Sequence, residues 1–183
     1  GDKLTLTTTG DAVRFNGRVT LNTDLRIDTD STDAGSEGGN ALFTNKASID
    51  SQAFESNDLV VDAGTASVFF NEDIGSAPNG QLGQLIVEEA SAGVIFGQSD
   101  SETGDTGPVN VINTDGAINI GVGNNVIGGA GIVLNGGTPL SFTITTTSDE
   151  VRFNGAVTLG SIVRIDTTAN GTTGGDIVFT NDS

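Results

Sequence analysis

The chain has no cysteine, histidine, methionine, tryptophan or tyrosine, and only three prolines in 183 residues. Each absence excludes something. Without Cys there is neither a disulfide framework nor a thiolate nucleophile. Without His, the common nucleophile–base pairs and imidazole metal ligands are missing. Cations are scarce as well: 7 Lys and Arg stand against 24 Asp and Glu, a net charge of −17. Nucleic acid and anionic membrane surfaces need basic patches, so neither is expected as a partner. No apolar run approaches the length of a bilayer span. A polyanionic substrate would be repelled, and no carboxylate pair stands out among two dozen, so no enzymatic activity and no cofactor are expected.

What remains is a strand-and-turn alphabet. Twenty-seven Gly accompany abundant Thr, Asn, Asp and Ser, and nine Phe are the only aromatics. Val, Ile, Leu and Phe recur in short alternating triplets, the mark of half-buried strands. No stretch longer than a few residues has helical spacing.

The chain also repeats itself. VRFNG occurs at Val13–Gly17 and at Val151–Gly155, and from Thr7 to Thr29 the two blocks align without a gap at an offset of 138. After two residues are lost, GGNALFTN realigns with GGDIVFTN at an offset of 136. Superrepeat 1 thus covers about 4–141 and the start of superrepeat 2 about 142–183. The chain begins and ends in mid-pattern, as expected of an excerpt from a longer repeat protein.

Two kinds of triplet alternate within the repeat. One runs Leu4-Leu6, Leu25-Ile27, Leu59-Val61, Leu85-Val87, Val109-Val111, Phe142-Ile144 and Val163-Ile165. The other ends on Phe15, Phe43, Phe70, Phe96, Ile120, Phe153 and Phe179, and a weaker third strand often follows. From Phe15 to Phe153 the second kind advances in steps of 28, 27, 26, 24 and 33, which together make the 138-residue offset. Units of this size, with short strands and no helix, indicate a solenoid. The expected fold is all-β: a parallel β-helix of about seven coils, roughly 27 residues per coil, with a five-coil superrepeat and one continuous core stack through those seven residues. A β-sandwich also uses short strands, but its strands alternate over longer runs and lack this fixed order.

Outward positions carry the candidate contacts. Arg14, Arg26, Arg152 and Arg164 each lie between inward apolar residues and are expected to pair with neighbouring acids, each exposed pair contributing little. Leu42, Val60, Phe69, Ile86 and Ile95 are apolar where the alternation points outward. Strands apolar on both faces are normally covered on both, so these five form a candidate interface, filled by a long loop of the chain or by a neighbouring rod. Asp28, Asp30 and Asp33 in one loop, and Asp100, Glu102 and Asp105 in another, are candidate calcium ligands. Their spacing matches neither the EF-hand nor the calcium-binding nonapeptide, and the second copy of the first loop has lost most of its acids; solvated acidic loops are expected instead. The outward Thr do not persist from coil to coil, which argues against an ice-binding grid.

The grammar LxLxT…VxFNGxVTL…GGDIVFTN, running through nearly the whole chain, resembles the β-helical repeats of large bacterial surface proteins, the filamentous-haemagglutinin-like and autotransporter-type adhesins. The resemblance implies a right-handed helix, a bacterial source, an extracellular or cell-surface location and no catalytic residues. It further implies a structural segment of a filament or adhesin stalk that self-associates laterally or end to end. The alternative is a module that recognises glycan or a surface protein through loops on one face.

Overall fold

The computed structural model describes residues 3–30, 38–97, 99–100, 105–106, 109–123, 125–136, 141–169 and 172–180. Among these there are nineteen strands and no helix. The strands stack in three columns. The first contains Lys3–Thr7, Asp24–Asp28, Leu59–Asp62, Leu85–Glu89, Ile118–Ile120, the start of Val151–Leu159, and Ile177–Thr180. The second contains Val13–Phe15, Ala41–Phe43, Ser67–Phe70, Gly93–Phe96 and the ends of Ile127–Leu134 and Val151–Leu159. In the third, Val19–Leu21 pairs with Ile49–Ser51, Ile74 bridges to Ile112, and Val111–Asn113, Ser141–Thr145 and Ile162–Asp166 follow.

Every described strand pairs in parallel except the hairpin of Ser99–Asp100 with Asp105–Thr106. The chain visits the columns in turn and returns to each one rung further on, a parallel, solenoid-like architecture. Because Val151–Leu159 serves both the first and second columns, these merge into one curled sheet with eleven strands on its path and Ile177–Thr180 attached as a twelfth.

Alternation decides which side chains enter the interior. In Leu25–Ile27 and Leu59–Val61 the outer residues of each triplet are buried, and they stack on their equivalents one rung away. Four aromatic rings pile up the same way in the second column. Phe15, Phe43, Phe70 and Phe96 have successive centroid separations of 4.8, 5.2 and 5.1 Å, with interplanar angles no larger than 14°. Stacked pairs of this kind contribute roughly 0.5–1.5 kcal/mol each beyond their burial.

Turn chemistry follows the repeat. The Thr8 hydroxyl donates to the Asp11 carbonyl at 2.6 Å, and the matching Thr146 donates to Asp149 at 2.7 Å. Thr29 donates to the Gly39 carbonyl at 2.6 Å, and its counterpart Thr167 to Gly175 at 2.9 Å. One glycine is fixed by crowding: at Gly97, where the chain leaves the second column with φ of 77°, a Cβ would lie 1.9 Å from the Asn135 carbonyl oxygen. No side chain fits there.

The copies of the repeat nevertheless occupy different columns, and this corrects the spacing argument. Val13–Phe15 lies in the second column, whereas 151–153 lies in the first. Likewise Asp24–Asp28 is in the first column and its counterpart Ile162–Asp166 in the third. The cause is at Val111–Asn113. That segment occupies the third column, so Ile118–Ile120 falls in the first column, beside Leu85–Glu89, and not above Gly93–Phe96. The 138-residue offset therefore spans fourteen successive positions on a three-column path, which is not a whole number of turns. The expected single core stack divides accordingly. Above Phe96 the second column continues with Leu134, and the tilted ring of Phe142 enters from the third column at 6.0 Å. Ile120, Phe153 and Phe179 form a separate stack in the first column, where the last two rings are 5.4 Å apart.

Candidate functional site

The outward arginines make short-range contacts. Arg26 is the most engaged: its Nη2 lies 3.0 Å from Asp62 and 3.4 Å from Asp28, while Nη1 contacts Glu88. The guanidinium thereby reaches from its own rung past that of Val60 towards that of Ile86. Burial lowers the Arg26 pKa, but the hydrogen bond and charge of Glu88, with Asp28 and Asp62, outweigh it and leave the pKa raised. Asp62 is pushed up, first by burial and then by its neighbours Asp28 and Glu88, against the opposing pull of Gly64 N–H and Arg26. Three carboxylates sharing one guanidinium are not all compensated by it. Arg152 pairs with Glu150 at 2.8 Å and Arg164 with Asp166 at 2.6 Å, while Arg14 donates from Nε to Asn16 at 2.9 Å.

Of the candidate calcium ligands, only Asp28 and Asp30 have described side chains. Asp28 is committed to Arg26 and also accepts the Asp30 N–H at 3.1 Å. Asp33 and Glu102 lie outside the described residues, and Asp100 and Asp105 are backbone register partners in the hairpin. Among the described residues no group of three or more acidic side chains converges in a way that could hold a metal ion.

The five candidate interface residues divide between two columns. Val60 and Ile86 are neighbours in the first column, and Leu42, Phe69 and Ile95 are successive in the second. Leu42, Val60 and Ile95 are already buried within one chain, and Phe69 and Ile86 are half-buried. They do not form a bare patch.

A different surface stands out on the corner between the third and first columns. There the chain makes a long turn over 52–58, and the next rung makes another over 75–84. The two lie against each other: Phe54 N–H donates to the Asn79 carbonyl at 3.0 Å, Ser51 N–H to Gly80 at 2.8 Å and Gly83 N–H to Asn57 at 2.9 Å. Buried Asp50 fixes the base of this shelf, accepting the Ala77 N–H at 2.8 Å and pairing with Arg18 at 3.3 Å. Phe54 and Asn79 both adopt left-handed backbone, with φ of 69° and 56°. For Asn this costs little; for Phe it stores on the order of 1–3 kcal/mol. The Phe54 ring is 86% exposed, the most exposed large apolar side chain among the described residues. It lines an open groove of about 220 Å³ with Glu55, Ser56, Asn79 and Gln81.

The sequence reasoning missed this residue because it followed the triplets. The signal was nonetheless present: Phe54, in SQAFESND, is the one Phe of nine outside every apolar triplet.

Comparison of the chain with known protein families, with curated proteins and with solved structures gives no match.

Proposed function

We propose that this chain is a structural segment of an extracellular filament or adhesin stalk, a solenoid of seven coils that grows by stacking of further coils on its ends. The observation that carries this reading is the stacking itself: seven strands of the first column sit in parallel register on one another, and the middle rungs bury inward residues that the outermost described rungs leave exposed. Leu4 in the first rung, and Leu159 and Phe179 at the far end, occupy inward positions yet are 59%, 61% and 60% exposed. Their partners one rung inside, Leu25, Leu134 and Phe153, are buried. Open strand edges with apolar side chains template further pairing. A right-handed path is favoured because parallel crossover connections are overwhelmingly of that hand.

The ends are also electrically unlike. Residues 3–21 carry Lys3, Arg14 and Arg18 against Asp11 alone, in a chain of net charge −17. The other end presents Asp149, Glu150, Asp166 and Asp176 against Arg152 and Arg164. If a second copy continued the first column in parallel register, Leu4 would lie on Ile177 and Leu6 on Phe179, which sets Lys3 beside Asp176. Head-to-tail stacking is the arrangement this favours.

The test is sedimentation and electron microscopy of the 183-residue chain over a concentration series. Rods lengthening in whole-chain increments are expected. Phe179→Asp and Lys3→Glu should each shorten them while the far-ultraviolet dichroism stays unchanged. A monodisperse monomer at the highest soluble concentration would refute the stacking.

A further inference from the structure

We infer that the Phe54 shelf is a binding site for a neutral pyranose, the ring of Phe54 forming its floor and the side-chain amides of Asn79 and Gln81 its polar wall. The site is separate from the stacking ends. It lies on the side of the rod, where 52–58 and 75–84 project between the two-residue turn Asn22–Thr23 on one side and the short turn 114–117 on the other.

Three observations lead to this ligand class. The first is placement of the ring. A side chain that is 86% exposed contributes almost nothing to the core, yet its backbone is held in a conformation suited to Gly or Asn. The Phe54 N–H bond to Asn79 O, and the seating of the turn on its neighbour, fix the backbone from which the ring projects at the groove. The second is the division of labour among the polar groups. Glu55 is already held, accepting from Gln52 Nε2 at 3.1 Å and from Asn57 Nδ2 at 2.9 Å, and Ser56 donates to Asp115 at 3.2 Å. Asn79 and Gln81, in contrast, have no side-chain hydrogen-bond partner among the described residues. Each amide offers two donors and an acceptor, which is what a pair of vicinal hydroxyls requires.

The third observation is size. A groove of about 220 Å³ is smaller than the roughly 300–1,000 Å³ of sites for drug-sized molecules, and takes a single ring. A pyranose presents an apolar C–H face that packs on an aromatic ring and a rim of hydroxyls that meets the amides. The carboxylate of Glu55 at the groove and the net charge of −17 exclude anionic sugars in favour of neutral hexoses or N-acetylhexosamines. An apolar protein contact is less well served, because the lining around the ring is amide, hydroxyl and carboxylate.

The chain has no Trp and no Tyr, so Phe54→Trp installs a single fluorescent reporter at the site. Titration of this variant with glucose, galactose, mannose and their N-acetylamino forms should change its emission saturably for at least one sugar. With the same sugar, the side-chain amide signals of Asn79 and Gln81 in the unmodified chain should shift in nitrogen–proton spectra. Phe54→Ala should weaken that binding roughly fivefold to tenfold. It should leave both the thermal midpoint and the rod lengths unchanged, so that loss of binding cannot be traced to unfolding or to failed stacking. The inference is overturned if none of the sugars moves the two amides. It is equally overturned if the shifts survive Phe54→Ala, or if glucuronate binds better than glucose.

Discussion

Phe70→Ala tests whether the aromatic stack in the second column holds the solenoid together. Phe70 is fully buried and lies between two rings, 5.2 Å from that of Phe43 and 5.1 Å from that of Phe96. Truncation of a buried Phe to Ala costs about 3–5 kcal/mol through lost transfer energy and the cavity left behind. Two stacked contacts, at roughly 0.5–1.5 kcal/mol each, account for about 1–3 kcal/mol of that. Phe70→Leu keeps most of the apolar volume and loses mainly the stacking, so it should cost about 1–3 kcal/mol. Phe179→Ala removes a ring that is 60% exposed and stacked on one side only, and should cost about 1 kcal/mol. Against a domain stability on the order of 5–15 kcal/mol, the first variant is severe and the last is mild. Urea unfolding followed by far-ultraviolet dichroism, with amide exchange of Phe43 and Phe96 as local probes, distinguishes them. The local probes matter because a solenoid is stabilised by nearest-neighbour contacts and can open at a single damaged rung. Equal costs for Phe70→Ala and Phe179→Ala, or a cost below about 1 kcal/mol for the former, would refute the stack as a stabilising unit.

Two further predictions follow from the electrostatics and the column assignment. Burial raises the pKa of Asp58 (with a further push from Asp24), of Asp62 and of Glu72 above their values in the unfolded chain. Between the unfolded and folded pKa values the native state holds more protons, so stability falls as pH rises through that window and is regained on acidification from neutrality. The thermal midpoint should therefore rise as the pH falls from neutrality to just above the ordinary Asp and Glu range, and Glu72→Gln should flatten the rise; a midpoint that falls on that acidification would contradict this. Asp166, held down first by the Thr168 N–H, works in the opposite direction and only at lower pH. For the columns, spin labels on Ile86→Cys and Asn119→Cys should show strong dipolar broadening, because the two residues are direct strand neighbours at a spacing of about 4.8 Å. A spectrum equal to that of the two single labels combined would place Asn119 in the second column after all.

The all-β, parallel character of the fold was legible because alternation and unit length are local properties, and local properties survive in both copies of the repeat. Thr8 and Thr146 close the same turn with the same hydrogen bond, as do Thr29 and Thr167, although the strands that follow belong to different columns. Column identity is not local. It depends on how many times the chain has turned, and the third-column strand is the easiest to miscount: in one rung it is reduced to the single bridging residue Ile74, and in the next it is Val111–Asn113, whose Val-Asn-Val-Ile surroundings read equally well as the start of a new unit. The interior tolerates the shift because its inward positions ask only for an apolar side chain of moderate size. Phe153 sits on Ile120 in the first column as readily as Phe43 sits on Phe15 in the second.

The lateral contacts depend on the same non-local geometry. Alternation marks Val60 as outward, and it is, but it cannot show that Arg26 on the neighbouring rung reaches across that row to Asp62 and Glu88. Long side chains cover apolar neighbours with their methylene stems while their heads stay among charges, so an outward valine beside an arginine is not evidence of a partner. Phe54 is the converse case. Apart from Ala53 its neighbours in sequence are polar, its turn is seated on the 75–84 turn of the next rung, and its backbone is left-handed. A ring left exposed by its surroundings, and not merely by alternation, is the stronger indication of a ligand, which is why the side of the rod at 52–58 and 75–84, and not the apolar rows of the columns, is where this chain is expected to meet something other than itself.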